Sequence, residues 1–220
     1  MPRALKPVNP MTLTSRKRRP IARQEREYRD DRLFFVACDD TFAPLQYFGA
    51  IKFRGLHIVV LPAENNRSAP KHALERLDKA RKEFQLQEDD EFWLVLDLDH
   101  QCEPNHLASL VDALSKALQK DMRLAVSNPC FELWLWLHHH DDFSGLPSPC
   151  TAGDLEKALK EALNGYNKTR LRLEDFTRGR AEQAAGRAKL LDTSTATDRW
   201  PRETGTHVYR LIEALLAAER

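Results

Sequence analysis

What this chain lacks narrows its chemistry before any motif is read. Its four cysteines, Cys38, Cys102, Cys130 and Cys150, form no C-x-x-C pair and show no metal-ligand spacing with histidine. That argues against a zinc site and against a disulfide framework, and a reducing cytoplasm is the simplest compartment. No apolar run approaches the length of a membrane span, and the first residues carry no signal-peptide core, so a cytoplasmic protein without a membrane partner is expected. A glycine-rich phosphate loop is absent, so nothing here would bind ATP by itself. Neither sign of charge is in excess: 34 basic residues stand against 33 acidic ones, so global charge names no polyanionic partner, although its distribution can.

What is present is an alternation of buried-strand runs and amphipathic segments. Phe92 to Leu96 (FWLVL) is too continuously apolar for a half-exposed strand and predicts a sheet covered on both faces; Leu33 to Cys38 (LFFVAC) is another such run, and Leu56 to Leu61 (LHIVVL) and a short Met122 to Val126 read as the other strands. Between them the spacing predicts helices over about 43–53, 71–84 and 104–120, the last with Leu107, Leu110, Val111, Leu114 and Leu118 on one face. This β-α-β-α-β-α-β order implies right-handed crossovers and an α/β fold with a mainly parallel sheet flanked by helices. The chain divides into a polar arm at 1–30, an α/β core at 31–145 and a helical extension at 146–220 with helices over about 151–164 and 203–217. A length of 220 residues suffices for one sizeable core with such an extension.

Carboxylates gather at the predicted strand ends. Asp97 and Asp99 follow the third strand at alternate positions, which a period of two points to one side, close enough to hold one divalent cation. The carboxyl ends of strands are where open α/β sheets bind ligands. Asp39 and Asp40 follow the first strand in the same way. The plain alternative is that Asp97 or Asp99 caps a helix or shapes a turn. Ser127 to His139 (SNPCFELWLWLHH) reads as a helix started by Asn128 with Pro129 at its first position, apolar nearly all round and therefore buried. Its one carboxylate, Glu132, needs a cation or hydrogen-bond donors if buried, or else serves the N-terminus of its own helix. His138, His139 and His140 sit at the helix end, where imidazoles commonly complement the dipole.

The basic residues form two sets. Arg16, Lys17, Arg18 and Arg19 head the densest positive block, which extends to Arg32 and could attract a phosphate backbone; Glu25, Glu27, Asp30 and Asp31 partly offset it, as in a solvated tail. Lys168, Arg170, Arg172, Arg178, Arg180, Arg187 and Lys189 form the second set, which either clamps a backbone or lies on solvated helix surfaces. Thr206 and His207, at the predicted start of the last helix, stand where they could reach a ligand.

The order of a strand ending in cysteine and an acidic turn, a strand ending in D-x-D, and then SNPCFELWL resembles the RloB-like family of bacterial proteins, built on a Toprim-type α/β fold. Tyr166-Asn167-Lys168, the helix with Arg187, Ala188 and Lys189, and Thr204-Gly205-Thr206-His207-Val208 are similar too, so the resemblance runs from about Arg16 to Ala217. It implies a site. Toprim domains, found in topoisomerases, primases and several nucleases, use a glutamate after the first strand and a D-x-D after a later one to hold magnesium for phosphoryl-transfer or strand-cleavage chemistry. RloB-like proteins are linked to defence against phage by abortive infection, often beside an ATPase partner. Carried over, the D-x-D falls on Asp97 and Asp99, and the SNPcFE motif on Ser127, Asn128 and Glu132. The expectation is a nuclease dependent on Mg²⁺ or Mn²⁺ that acts on DNA or RNA. Asp39, Asp97 and Asp99 would bind metal, Glu132 or Asp39 would complete the site or activate water, and Arg16 to Arg19, Asn128 and Lys168 would contact nucleic acid.

The first motif departs from the family pattern. Where the family reads Cys-Glu-Gly-Glu-x-Thr-Glu-Pro, this chain reads Cys38-Asp39-Asp40-Thr41-Phe42-Ala43-Pro44-Leu45. Aspartate is one methylene shorter, and magnesium demands near-ideal octahedral distances. Loss of the glycine at 40 removes a residue that lets backbone approach a phosphate. The rival expectation is therefore a catalytically impaired subunit that keeps the fold, binds nucleic acid and serves a partner.

Overall fold

The computed structural model describes residues 31–63, 68–99, 104–195 and 197–219. The expected arm, with Arg16, Lys17, Arg18 and Arg19, lies outside the described residues. Strands and helices alternate as the apolar runs require: β1 (Arg32–Cys38), α1 (Ala43–Ala50), β2 (Leu56–Leu61), α2 (Pro70–Glu83), β3 (Glu91–Asp97), α3 (Pro104–Gln119) and β4 (Arg123–Asn128). There follow α4 (Glu132–Trp136), α5 (Ala152–Ala162), a 3-10 turn at Leu173–Asp175, α6 (Arg178–Leu191), β5 (Gly205–Thr206) and α7 (Val208–Ala218). The strand order is β2-β1-β3-β4-β5, parallel throughout except for β5, which runs antiparallel to β4. The protein is thus an α/β fold with a mostly parallel five-stranded sheet flanked, among the described residues, by seven helices.

The period of two divides each strand between two cores. Leu33, Phe35 and Ala37 of β1 with Phe92, Leu94 and Leu96 of β3 pack on Ala73, Leu74 and Leu77 of α2 and on Leu110 and Leu114 of α3. Phe34, Val36 and Cys38 with Trp93 and Val95 face the opposite side, where α1, α4, α5, α6 and α7 share a larger core around Phe131, Trp134 and Trp136. Trp134 and Trp136 are at most 1% exposed, and each large side chain so buried contributes about 2–3 kcal/mol. The extension therefore rests on the same sheet face as the segment that carries Glu132.

Three segments differ from the sequence reading. Asn128 ends β4 rather than opening a helix; a cis Asn128–Pro129 bond and a turn intervene, and α4 starts only at Glu132. Gly205 and Thr206 form β5, so the last helix begins at Val208; two strand residues are too few to show a period. On α3 the buried stripe is Leu110, Ala113, Leu114 and Ala117, while Leu107, Val111 and Leu118 remain 41%, 37% and 45% exposed. At 3.6 residues per turn these three lie roughly 80° round the helix from the stripe, at the limit of what one apolar face covers.

Helix α5 opens on a capping box: Asp154 N donates to Thr151 Oγ1 at 3.2 Å and Thr151 N to Asp154 Oδ2 at 3.0 Å. Thr151→Ala is expected to cost about 1 kcal/mol, read as a lower denaturant midpoint with an unchanged slope.

Candidate active site

The strand order reverses between β1 and β3: the chain leaves β1 for β2 on one side, and β3 pairs on the other. This is the switch point at which parallel sheets open a crevice beyond their carboxyl ends. Asp39 directly follows β1 and Asp97 ends β3 beside it, with Cys38 and Val95 in register. A cleft of about 360 Å³ opens there, lined by Asp39, Asp40, Asp97, Asp99, Glu132 and Lys168 among others. Asp39 ties the two strand ends together, because its Oδ2 accepts the N–H of Asp97 at 3.0 Å and its Oδ1 that of Asp40 at 3.0 Å. The turn after β3 is fixed to the turn after β4, with the N–H groups of Leu98 and Asp99 both donating to Pro129 O at 3.0 Å. Asp99 lies beyond the end of β3, so it shares the cleft with Asp97 through this turn rather than through strand alternation.

Glu132 is 8% exposed at the first position of α4, whose N-cap is Phe131, and no side chain caps that helix end. Glu132 instead accepts a hydrogen bond from Tyr166 Oη at 3.1 Å on its Oε1 and lines the cleft. Of the two sequence-level readings of this carboxylate, the geometry answers to a partnered side chain in a shared pocket.

The acids raise one another. Burial, opposed by the hydrogen bond from Asp97 N and reinforced by the charge of Asp40, pushes the Asp39 carboxyl up to about 7. Asp97 is driven well above the usual carboxylate range, first by burial and then by Asp39, Glu132, Asp99 and Asp40. Burial and the charge of Glu132 also push up the Cys130 thiol and the Tyr166 phenol. The Asp39 carboxylate accepts two backbone N–H groups and Glu132 accepts Tyr166 Oη, and among the described residues no lysine or arginine lies at ion-pair distance from Asp39, Asp97 or Glu132. Asp97 Oδ1 is buried without any hydrogen-bond partner. Among the described residues no three Asp, Glu, His or Cys side chains stand close enough together to hold a metal ion between themselves. A magnesium ion commonly takes only one or two carboxylates and completes its shell with water and phosphate oxygens. The hard oxygen donors and the orphaned Asp97 oxygen therefore fit a divalent cation of that kind.

Lys168 reaches the cleft from the extension, and its loop is held by a residue that the sequence did not single out. Gln46 on α1 donates through Nε2 to Lys168 O at 2.9 Å and accepts the N–H of Leu171 on Oε1 at 2.9 Å. Nothing in the local pattern marks Gln46, since a polar residue on a helix flank is unremarkable until the loop 122 residues later folds onto it. Gln46→Ala is expected to weaken binding of a single-stranded oligonucleotide about three- to tenfold with little loss of melting temperature, measured by fluorescence anisotropy.

Other candidates take structural parts. The Asn128 amide donates to Pro201 O at 3.1 Å and is not among the cleft's lining residues. Thr206 and His207, expected near a ligand, are both fully buried: Thr206 Oγ1 pairs with Ser127 Oγ at 2.8 Å, and His207 Nε2 with Ser194 Oγ at 2.9 Å. β5 pulls them into the sheet. His138 is buried between Tyr47 Oη at 3.2 Å and Trp134 O at 2.9 Å, and burial lowers it to about 3, so it is neutral. Most arginines of the second basic set pair locally: Arg172 with Asp175, Arg178 with Glu182 and Glu219, Arg187 with Asp141. They behave as helix-surface residues rather than a clamp.

Sheet and cleft together define an α/β protein with a carboxylate-lined pocket at the switch point of a parallel sheet. Within that class, the chain belongs to the RloB-like protein family, whose model matches residues 34–215. The match covers most of the chain and includes every cleft residue named above; the basic arm precedes it. Comparison with curated proteins and with solved structures returned no match. Among the described residues no helix is long and apolar enough to cross a membrane.

Proposed function

We propose that the protein is a nuclease of Toprim type, dependent on Mg²⁺ or Mn²⁺, that cleaves a phosphodiester bond of DNA or RNA in bacterial defence against phage. The observation that carries this reading is the gathering of Asp39, Asp40, Asp97, Asp99 and Glu132 round one cleft, from three turns far apart in sequence. Asp97 and Asp99, with Asp39 beside them, would hold the cation. When bound, such an ion supplies a Lewis acid that draws charge from the phosphoryl oxygens.

The side chains divide the remaining work. Asp39 locks the ends of β1 and β3 through the Asp97 N–H and so fixes the direction in which Asp97 presents its free oxygen. Glu132, held on Oε1 by Tyr166, keeps its second oxygen for the proton of an attacking water. Lys168 offers an ammonium to the phosphate. Phe131, Leu133 and Trp134, which flank Glu132 in the chain, are fully buried in the core and anchor the segment that carries it.

A second reading, a subunit that binds nucleic acid and serves an ATPase or other partner without cleaving, draws on one observation. Both oxygens of Asp39 already accept backbone N–H groups, where the family pattern has a longer glutamate. Incubating the full chain with single- and double-stranded DNA and RNA in Mg²⁺ or Mn²⁺ separates the two. Cleavage that needs the metal and falls about 10²-fold in Glu132→Gln supports the nuclease. Activity that survives in both Asp97→Ala and Glu132→Ala rules out this cleft, and binding without cleavage favours the subunit.

A further inference from the structure

We infer that the helical extension builds an anion-binding wall of the cleft: the backbone N–H groups of Ala152 and Gly153 in the first turn of α5, together with the Lys168 ammonium, take one phosphate group of the substrate. The inference rests on the reading of the carboxylates as a cation site for phosphodiester chemistry, and adds the place where the substrate's own charge is met.

The first four N–H groups of a helix have no partner within it. The capping box of α5 uses its flanking pair, Thr151 N on Asp154 Oδ2 and Asp154 N on Thr151 Oγ1, and Leu155 N begins the ladder on Thr151 O at 3.2 Å. The N–H groups of Ala152 and Gly153 remain, and both residues line the cleft. Gly153 is open on its outer side, since a Cβ built there would meet only Thr151 Oγ1, at 3.8 Å. The positive end of the helix dipole adds to these donors. The acids nearby have partners of their own: the Asp154 carboxylate accepts Thr151 Oγ1 at 2.6 Å, and Glu156, which also lines the cleft, pairs with Lys160 at 2.8 Å.

The second observation comes from the facing wall. Asp97 is 6% exposed and lines the same cleft with a buried oxygen that has no hydrogen-bond partner among the described residues. A carboxylate wall with such an oxygen calls for a cation but repels a bare phosphate, so the substrate's charge needs a positive counterpart inside the pocket. Among the described lining residues Lys168 alone carries a positive charge, and Gln46 fixes its loop against α1.

Calorimetric titration of the full chain with a 5′-phosphorylated, phosphorothioate-linked dithymidine in saturating Mg²⁺ tests this, with a separate Mg²⁺ titration of each protein. Ala152→Pro removes one donor and keeps the helix, because proline suits the first helical position and Thr151 before it is already extended at φ −111° and ψ 163°. Lys168→Ala is the second variant, which needs no helix to be preserved. Each is expected to weaken the dinucleotide about tenfold while leaving the Mg²⁺ isotherm in place, and Lys168→Arg to recover most of the loss. Equal dinucleotide affinity in wild type, Ala152→Pro and Lys168→Ala, with Mg²⁺ bound normally, overturns the inference and leaves the cation site standing. Failure of the wild type to bind Mg²⁺ overturns the cation site and the inference with it.

Discussion

Asp97→Asn is expected to lower metal-dependent cleavage by roughly 10²–10³-fold and, in the same protein without metal, to raise the melting temperature. The two effects have one origin. Asp97 ends a central strand where it is buried, faces Asp39, Glu132, Asp99 and Asp40, and leaves Oδ1 with no donor. A buried group in that position costs stability, and asparagine, of the same shape, removes its charge at the loss of the ligand. The gain is on the order of 1–3 kcal/mol, enough to move the melting point by several degrees in a chain of this size. Melts in chelator at pH 8 beside a cleavage assay in Mg²⁺ read both arms. A variant that is less stable without metal assigns Asp97 a structural part instead, and one that still cleaves removes it from the chemistry.

The stability of the metal-free protein is expected to fall as pH rises above about 6.5, and Mg²⁺ to flatten that fall. A carboxyl whose folded pKa is raised is fully favourable below its unfolded value and loses stability as pH climbs through the folded one. Asp39, at about 7 when folded, contributes such a loss between about 4 and 7, and Asp97 extends it in the same direction. Three imidazoles work the other way: buried His138 is lowered to about 3, and half-buried His139 and buried His207 to about 4, so their contribution to stability grows as pH rises towards 6.5 and is constant above it. The opposing effects overlap below 6.5, which leaves the acids alone above. At roughly 1.4 kcal/mol per unit, the part of the Asp39 loss that falls above pH 6.5 is about 1 kcal/mol or less, and Asp97 adds to it in the same direction. Melts from pH 6.5 to 8.5, with chelator and with Mg²⁺, check it. A slope that is the same in both, or that persists in Asp97→Asn, contradicts the picture of coupled acids meeting a cation.

The alternation of LFFVAC, LHIVVL and FWLVL with amphipathic stretches was enough to read the strands almost residue by residue, because β1 and β3, buried on both faces, have to be apolar throughout, while β2 at the sheet edge is only half-buried and admits His57. The acids at 39, 97 and 132 could be picked out for the related reason that charge at the end of such a run has no structural necessity. Gln46 and the first turn of α5 carried no such sign. Their part depends on a loop near 168 and a helix at 152 arriving beside them, and neither event leaves a trace in local periodicity. Thr206 and His207 show the converse error: polar residues in a familiar-looking segment promised a ligand, yet a two-residue strand buries both against β4.

The sequence by itself determined the class of fold and the supply of carboxylates, since burial fixes which residues can line a sheet core and chain order fixes which turns share its carboxyl edge. Only the tertiary structure decided that these acids surround one cleft, that among the described residues no arginine or lysine lies at ion-pair distance from Asp39, Asp97 or Glu132, that Tyr166 steadies Glu132, and that the extension closes the pocket with Lys168. Such contacts join residues tens of positions apart, and their energies depend on distance and on exclusion of water, which no one-dimensional pattern records.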